Sequence, residues 1–168
     1  MINNNNTNIS GKEIYGWFSL GLSEVQMNRK YLNSINLFPI ADGDTGSNMA
    51  MTIRAMVETV NQKASFSETI RLLAKAGLAN ARGNSGILFV SYFNGMANET
   101  NGNESLTISE FADIAHKAVS YVYNAIENPV EGTMITVIRE WADYLHNNRL
   151  NYDSVLELFN DAYQTAKK

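Results

Sequence analysis

An all-α antiparallel bundle of about seven to eight helices is the fold this sequence predicts, and three observations predict it. Apolar residues recur at three- and four-residue intervals along most of the chain, the period of a helix with one buried face. Ser or Thr stands three residues before Glu at Ser10/Glu13, Ser65/Glu68 and Thr107/Glu110, a spacing that caps helix starts reciprocally. The connectors between periodic stretches are mostly short, which favours antiparallel neighbours.

The elements follow in order. Residues 1–9 are polar and asparagine-rich and read as a disordered leader, with the domain proper over 10–168. Ile14, Trp17, Phe18, Val25 and Leu32 predict a first helix from Gly11 to Tyr31. Pro39 keeps Phe38 out of helical geometry, so Asn33 to Asp44 reads as a loop. Met49, Ile53, Met56 and Val60 carry a second helix, and Ile70, Leu73, Ala74 and Leu78 a third. The stretch Ala81 to Gly86 interrupts the pattern before Ile87, Leu88, Phe93 and Met96 resume it. Asn98 to Ser105 reads as an exposed connector. Phe111, Ile114, Ala115, Ala118, Val119, Val122 and Ile126 then form the clearest amphipathic pattern, ended by Pro129. Thr133 opens a helix with Val137, Ile138, Trp141 and Leu145, and Asp153 caps a last one with Val155, Leu156 and Phe159.

Chemistry concentrates between Ile35 and Thr52. Asp42 and Asp44 flank Gly43, and residues two apart in an extended segment point to one side. Two carboxylates brought together repel unless a proton or cation lies between them. Magnesium suits such a pair, since it takes hard oxygen ligands and completes its shell with water and substrate phosphates. The helix that follows presents free backbone N–H groups, a seat for phosphate. A metal–nucleotide site at a loop-to-helix junction is therefore expected, against the plainer reading of a turn followed by a helix cap. An EF-hand loop starting at Asp42 fails, because Gly46 and Ile53 stand where its fifth and twelfth ligands belong. A phosphatase-type Asp-x-Asp-x-Thr nucleophile would make Asp42 the attacking group, but it needs a parallel sheet that the periodicity does not supply.

A second glycine-bearing junction, Ala81-Arg-Gly-Asn-Ser-Gly86, lets backbone N–H groups approach a ligand closely. No lysine follows Gly83, so it is not a Walker loop. A third junction runs from Asn128 to Met134. In an up-and-down bundle alternate junctions share an end, which would place all three on one rim.

Bulk properties narrow the classes. A chain of 168 residues suits one well-cored domain. Its formal charge of −4 argues against broad nucleic-acid binding, and no apolar run reaches transmembrane length. The absence of cysteine rules out disulfides and thiolate metal sites and fits a cytoplasmic setting. With two histidines, His116 and His146, far apart in sequence, surface or core roles are expected rather than a zinc site.

Taken together and in this order, Asn36 to Met49, Ala81 to Gly86 and Asn128 to Met134 resemble the N-terminal kinase domain of bacterial fatty-acid kinase. That domain is similar to the nucleotide-binding L subunit of dihydroxyacetone kinase. The resemblance implies an antiparallel helical barrel whose loops at one end hold Mg-ATP or Mg-ADP. Asp42 and Asp44 match the family's catalytic, magnesium-holding aspartates. Thr45 and Asn48 match residues near the phosphates; Gly83, Asn84, Ser85 and Gly86 match the phosphate loop; Thr133 and Met134 match a stretch near the nucleotide. It further implies a cytoplasmic ATP-dependent phosphotransferase whose acceptor is a fatty-acid carboxylate carried by a separate fatty-acid-binding protein, with an acyl phosphate as product. Such an acceptor is already ionised near neutral pH and needs no general base. A homodimer is compatible with this reading.

The sequence departs from the pattern in three places. Asn36 is the nearest polar residue to the family's third aspartate; its amide oxygen could bind magnesium but brings no charge. Ala41 replaces a usual proline, and Lys168 falls before the closing segment of the kinase domain, so a domain lacking its C-terminal end is expected. The alternatives are a domain that binds nucleotide or a partner without turnover, and a kinase of a dihydroxyacetone-type substrate.

Overall fold

The structure, a computed structural model, describes residues 8–36, 41–61 and 65–167. Residues 1–7 of the expected leader, and Phe38 and Pro39 of the expected loop, lie outside the described residues. Ten elements are described: β1 Asn8–Ser10, α1 Gly11–Met27, α2 Arg29–Ser34, α3 Thr45–Glu58, α4 Phe66–Asn80, α5 Gly83–Glu99, β2 Ser105–Thr107, α6 Ile108–Tyr123, α7 Met134–Asn148 and α8 Val155–Ala166. The expected all-α architecture holds, with eight helices and one two-stranded ribbon among the described residues.

The ribbon corrects the expected leader at Asn8 and Ile9, while the connector after α5 is largely exposed as expected, though not free of contacts. Asn8 and Ile9 are not part of a disordered leader; they pair antiparallel with Thr107 and Leu106, and Ser10 with Ser105. Ile9 and Leu106 are each 1% exposed, so an apolar pair, rather than the polar tract around it, decides this segment. Each strand ends in a helix cap. Ser10 caps α1 with Glu13, and Thr107 caps α6 with Glu110, both as reciprocal boxes. The connector is equally engaged: Asn103 and Glu104 accept from the backbone N–H groups of Ser67 and Phe66 at the start of α4. These bonds satisfy donors that every helix start leaves open.

Helix direction can be read from side-chain contacts. Tyr15 of α1 donates to the Val57 carbonyl near the end of α3 (3.2 Å), so these two helices run antiparallel. Gly77 of α4 packs between Met56 of α3 and Val90 of α5, where its missing Cβ is needed for the close approach. Asn48 and Thr52 of α3 lie against Gly83 and Gly86 of α5, so α3 and α5 are parallel and start at the same end. Helices α6 and α7 are antiparallel, joined by His116–Asp143 (3.0 Å) and His146–Asp113 (2.9 Å). The core of Ile14, Ile53, Met56, Phe66, Ile70, Leu73, Val90, Met96, Val122 and Leu145 lies among these helices. Phe159 of α8 closes the assembly at 5.1 Å from Trp17, 5.4 Å from Phe111 and 5.3 Å from Trp141.

Several boundaries differ from expectation. The first helix breaks at Asn28 into α1 and α2; beyond the break Leu32 is half-buried against Gly46 of α3, while Met27 and Tyr31 face solvent. Helix α6 ends at Tyr123, with Asn124 as its C-cap, well before Pro129. Helix α5 begins at Gly83 rather than Ile87, so Gly83 to Gly86 form its first turn. Ser154 caps α8 by accepting from the Glu157 N–H, where Asp153 was expected. Among the described residues no helix is long and apolar enough to cross a membrane.

Candidate functional site

The first two junctions meet in space. Asp44 is the N-cap of α3, and Thr45, Gly46 and Ser47 form its first turn. Gly43 sits at φ 66°, a left-handed conformation that lets the chain turn between the two aspartates without a Cβ clash. Gly83, at φ 59°, begins α5, and a Cβ there would run into the Asn48 side-chain amide. One turn further, a Cβ on Gly86 would lie 2.6 Å from Thr52 Oγ1. The two glycines are thus what allows α5 to start flush against α3.

Thr52 is fully buried and satisfied: its hydroxyl accepts from the Arg82 N–H at 3.2 Å. Thr52 was not among the expected site residues, although a Thr one turn beyond Asn48 on an apolar face is a signal. A buried polar side chain needs a partner, and this one fixes the backbone where α5 begins. Arg82 itself is exposed and α5 has no side-chain cap. The N–H groups of Gly83, Asn84 and Ser85 precede its first internal bond, from the Gly86 N–H to the Arg82 carbonyl at 3.0 Å.

On the other side of the mouth, the tail of α2 and Asn36 beyond it hold Asp42 and the first turn of α3. Asn36 donates from Nδ2 to Asp42 Oδ1 (2.7 Å) and accepts from the Thr45 hydroxyl through Oδ1 (2.6 Å). Asn36 therefore orients both residues in this arrangement. Asn33 accepts from the Ser47 N–H at 3.1 Å and donates to the Ser47 hydroxyl at 3.1 Å. Asp42 is exposed and Asp44 half-buried, and Asp44 makes no cap hydrogen bond with its carboxylate.

Chemically, the mouth offers two carboxylates, a hydroxyl and the starts of two parallel helices, whose positive dipole ends favour an anion. Carboxylates alone would repel a phosphate; a hard divalent cation between them reconciles the two. The donors present fit magnesium: they are oxygens, with a carboxylate that no cap bond consumes. No group of three or more His, Asp or Glu side chains suited to a metal occurs among the described residues, so any cation here would lean on water and ligand oxygens. That is the usual habit of magnesium.

The third junction is built differently. Thr133 caps α7 by accepting from the Ile135 N–H, and Met134 is the first residue of the helix. Glu131 accepts from the hydroxyls of Tyr123 and Thr136 and from Arg139 (3.3 Å). Those hydroxyl bonds, with Arg139 behind them, hold the Glu131 carboxyl down at about 2. Among the described residues, the hydrogen bonds of this junction stay within 123–139. Tyr121, near the end of α6 that leads into it, packs on Gly95 in the far half of α5. The structure thus brings together Asn36, Asp42, Asp44, Thr45, Asn48 and Gly83 to Gly86, while Thr133 and Met134 stand on their own network.

The chain belongs to the DAK2 domain family, whose model matches residues 39–168. An uncharacterized protein of Mycoplasma genitalium is 33% identical over 156 residues, which cover 88% of this chain and 28% of that protein. Uncharacterized proteins of Staphylococcus epidermidis (33% over 136 residues) and Staphylococcus haemolyticus (30% over 162 residues) are similar in the same way. The chain spans 25% and 29% of their respective lengths.

Proposed function

We propose that this chain is a phosphotransferase domain that binds Mg-ATP across the starts of α3 and α5 and passes the γ-phosphate to a carboxylate. Membership of the DAK2 family supports a dihydroxyacetone-kinase-like activity. The observation that carries the site is the Asp44 carboxylate, left without a cap bond near Asp42 at a mouth where α5 also starts without a side-chain cap. Asp42 and Asp44 would hold the magnesium, which neutralises phosphate charge when bound. Thr45 and the N–H groups of Gly83, Asn84 and Ser85 would contact the phosphates, and Asn48 keeps α5 seated for that purpose. Thr133 and Met134 would line the nucleotide further out.

Transfer of this kind depends on positioning and charge more than on covalent groups from the protein. An acceptor carboxylate oxygen attacks the γ-phosphorus, the bond to the β-bridging oxygen breaks, and ADP leaves as an acyl phosphate forms. The acceptor we favour is a fatty acid presented by a separate binding protein in the cytoplasm. No histidine stands in the three motifs, which agrees with direct transfer rather than a phosphohistidine intermediate.

Calorimetric titration with Mg-ADP, with and without chelator, tests the site. Binding that needs the metal is expected; metal-independent or absent binding would reject it. ATP turnover with a fatty-acid-loaded carrier, set against dihydroxyacetone, separates the two acceptors.

A further inference from the structure

This inference rests on the nucleotide reading above and concerns how its acidic mouth is kept available. Asp is a favoured N-cap residue because its carboxylate normally accepts from the N–H two or three positions on. Asp44 occupies the N-cap of α3 and does not do this. Its backbone, at φ −114° and ψ −6°, is near-helical rather than the extended geometry usual at an N-cap. The donor it would have taken, the Ser47 N–H, is bound by Asn33 Oδ1 from the tail of α2. Asn33 Nδ2 completes the grip on the Ser47 hydroxyl.

Gly46 explains how α2 comes close enough. A Cβ there would collide with the Arg29 carbonyl and lie 2.9 Å from Asn33 Oδ1. Asn36, two residues beyond α2, ties down one oxygen of Asp42 in the same manner. The geometry points to Asn33 as a positioning residue: it caps α3 from outside, so that the Asp44 carboxylate is released from capping and left for the cation.

The test is a thermal double-mutant cycle that needs no nucleotide. Asp44→Ala is expected to change Tm little in the wild-type background. In Asn33→Ala, where Asp44 is free to swing in and take the cap, Asp44→Ala should cost a further ~2–4 °C, about the loss of one cap in a domain this size. Asn33→Asp keeps the acceptor and should return the cycle towards wild type. If Asn33→Ala does not fold, Asn33→Ser, too short to span the gap, serves in its place. Equal effects of Asp44→Ala in both backgrounds overturn the inference.

A parallel readout is the magnesium concentration for half-maximal ADP binding. It should rise about tenfold in Asn33→Ala, the equivalent of one cap competing for the carboxylate, and stay near wild type in Asn33→Asp. An unchanged midpoint alongside intact wild-type binding rejects the positioning role alone. A coupled thermal cycle in a wild-type protein that ignores Mg-ADP rejects the nucleotide reading, and with it the purpose given to Asn33.

Discussion

The mouth formed by α3 and α5 and the face formed by α6 and α7 are both rich in acids, yet they treat them in opposite ways. On the α6–α7 face each carboxylate is used up. Asp113 meets His146 and Arg149 at 2.9 Å, and Asp143 meets His116 at 3.0 Å and Arg139 at 3.6 Å. The two imidazoles stack between these pairs with centroids 4.5 Å apart. At the mouth, Asp42 is bound by one neutral amide and Asp44 makes no cap bond. An acid paired with basic side chains holds elements together, whereas an acid held in place without one suits the cation proposed for the mouth. Charge content alone does not separate the two regions; partner chemistry does.

The sharpest way to break this comparison is to remove charge at the mouth. Asp42→Asn or Asp44→Asn should lower Mg-ADP affinity about a hundredfold or more, the scale seen when metal-site groups are lost, with the far-ultraviolet circular dichroism unchanged. Equal affinity in calorimetry would leave the two faces functionally alike. A backbone test comes next. Gly46→Ala forces a methyl into the Arg29 carbonyl and should cost about 1–3 kcal/mol in urea unfolding. Gly16→Ala on α1 meets nothing within 4 Å and should instead add about 0.5–1 kcal/mol. Stabilisation by both would mean that α2 does not press on α3.

Smaller effects belong to the other face. Asp113→Ala should cost roughly 1 kcal/mol at most, since its partners are partly exposed, and should leave Mg-ADP binding untouched. A change in nucleotide affinity would blur the distinction drawn above. The smallest expected effect is a pH dependence at Glu131. Its carboxyl is depressed from 4.5 to about 2 in the folded protein, chiefly by the Thr136 and Tyr123 hydroxyls. It therefore contributes stability above pH 4.5 that fades as pH falls towards 2. Melting curves of wild type and Glu131→Gln should differ above that window and converge below it.

Much of this molecule was legible before any coordinates. The apolar period of Phe111 to Val122 and the boxes at Ser10 and Thr107 are local rules, and the structure obeys them. The paired aspartates and the run from Gly83 to Gly86 announced themselves by residue type and spacing. What was misread lay where tertiary contacts override local preference. Asn8 and Ile9 look unstructured until Leu106 arrives across the ribbon. Helix α5 starts four residues early because Thr52, some 30 positions away in sequence, holds the Arg82 N–H.

Sequence by itself determined the helical class, most helix starts and the identity of the acids at the mouth, because periodicity, capping and carboxylate chemistry act over a few residues. Only tertiary structure decided that α3 and α5 start side by side, that Asn33 rather than Asp44 caps α3, and that His116 stacks on His146. Those outcomes depend on how closely two backbones approach, and glycines such as Gly46, Gly77 and Gly83 reveal that distance only once their neighbours are in place.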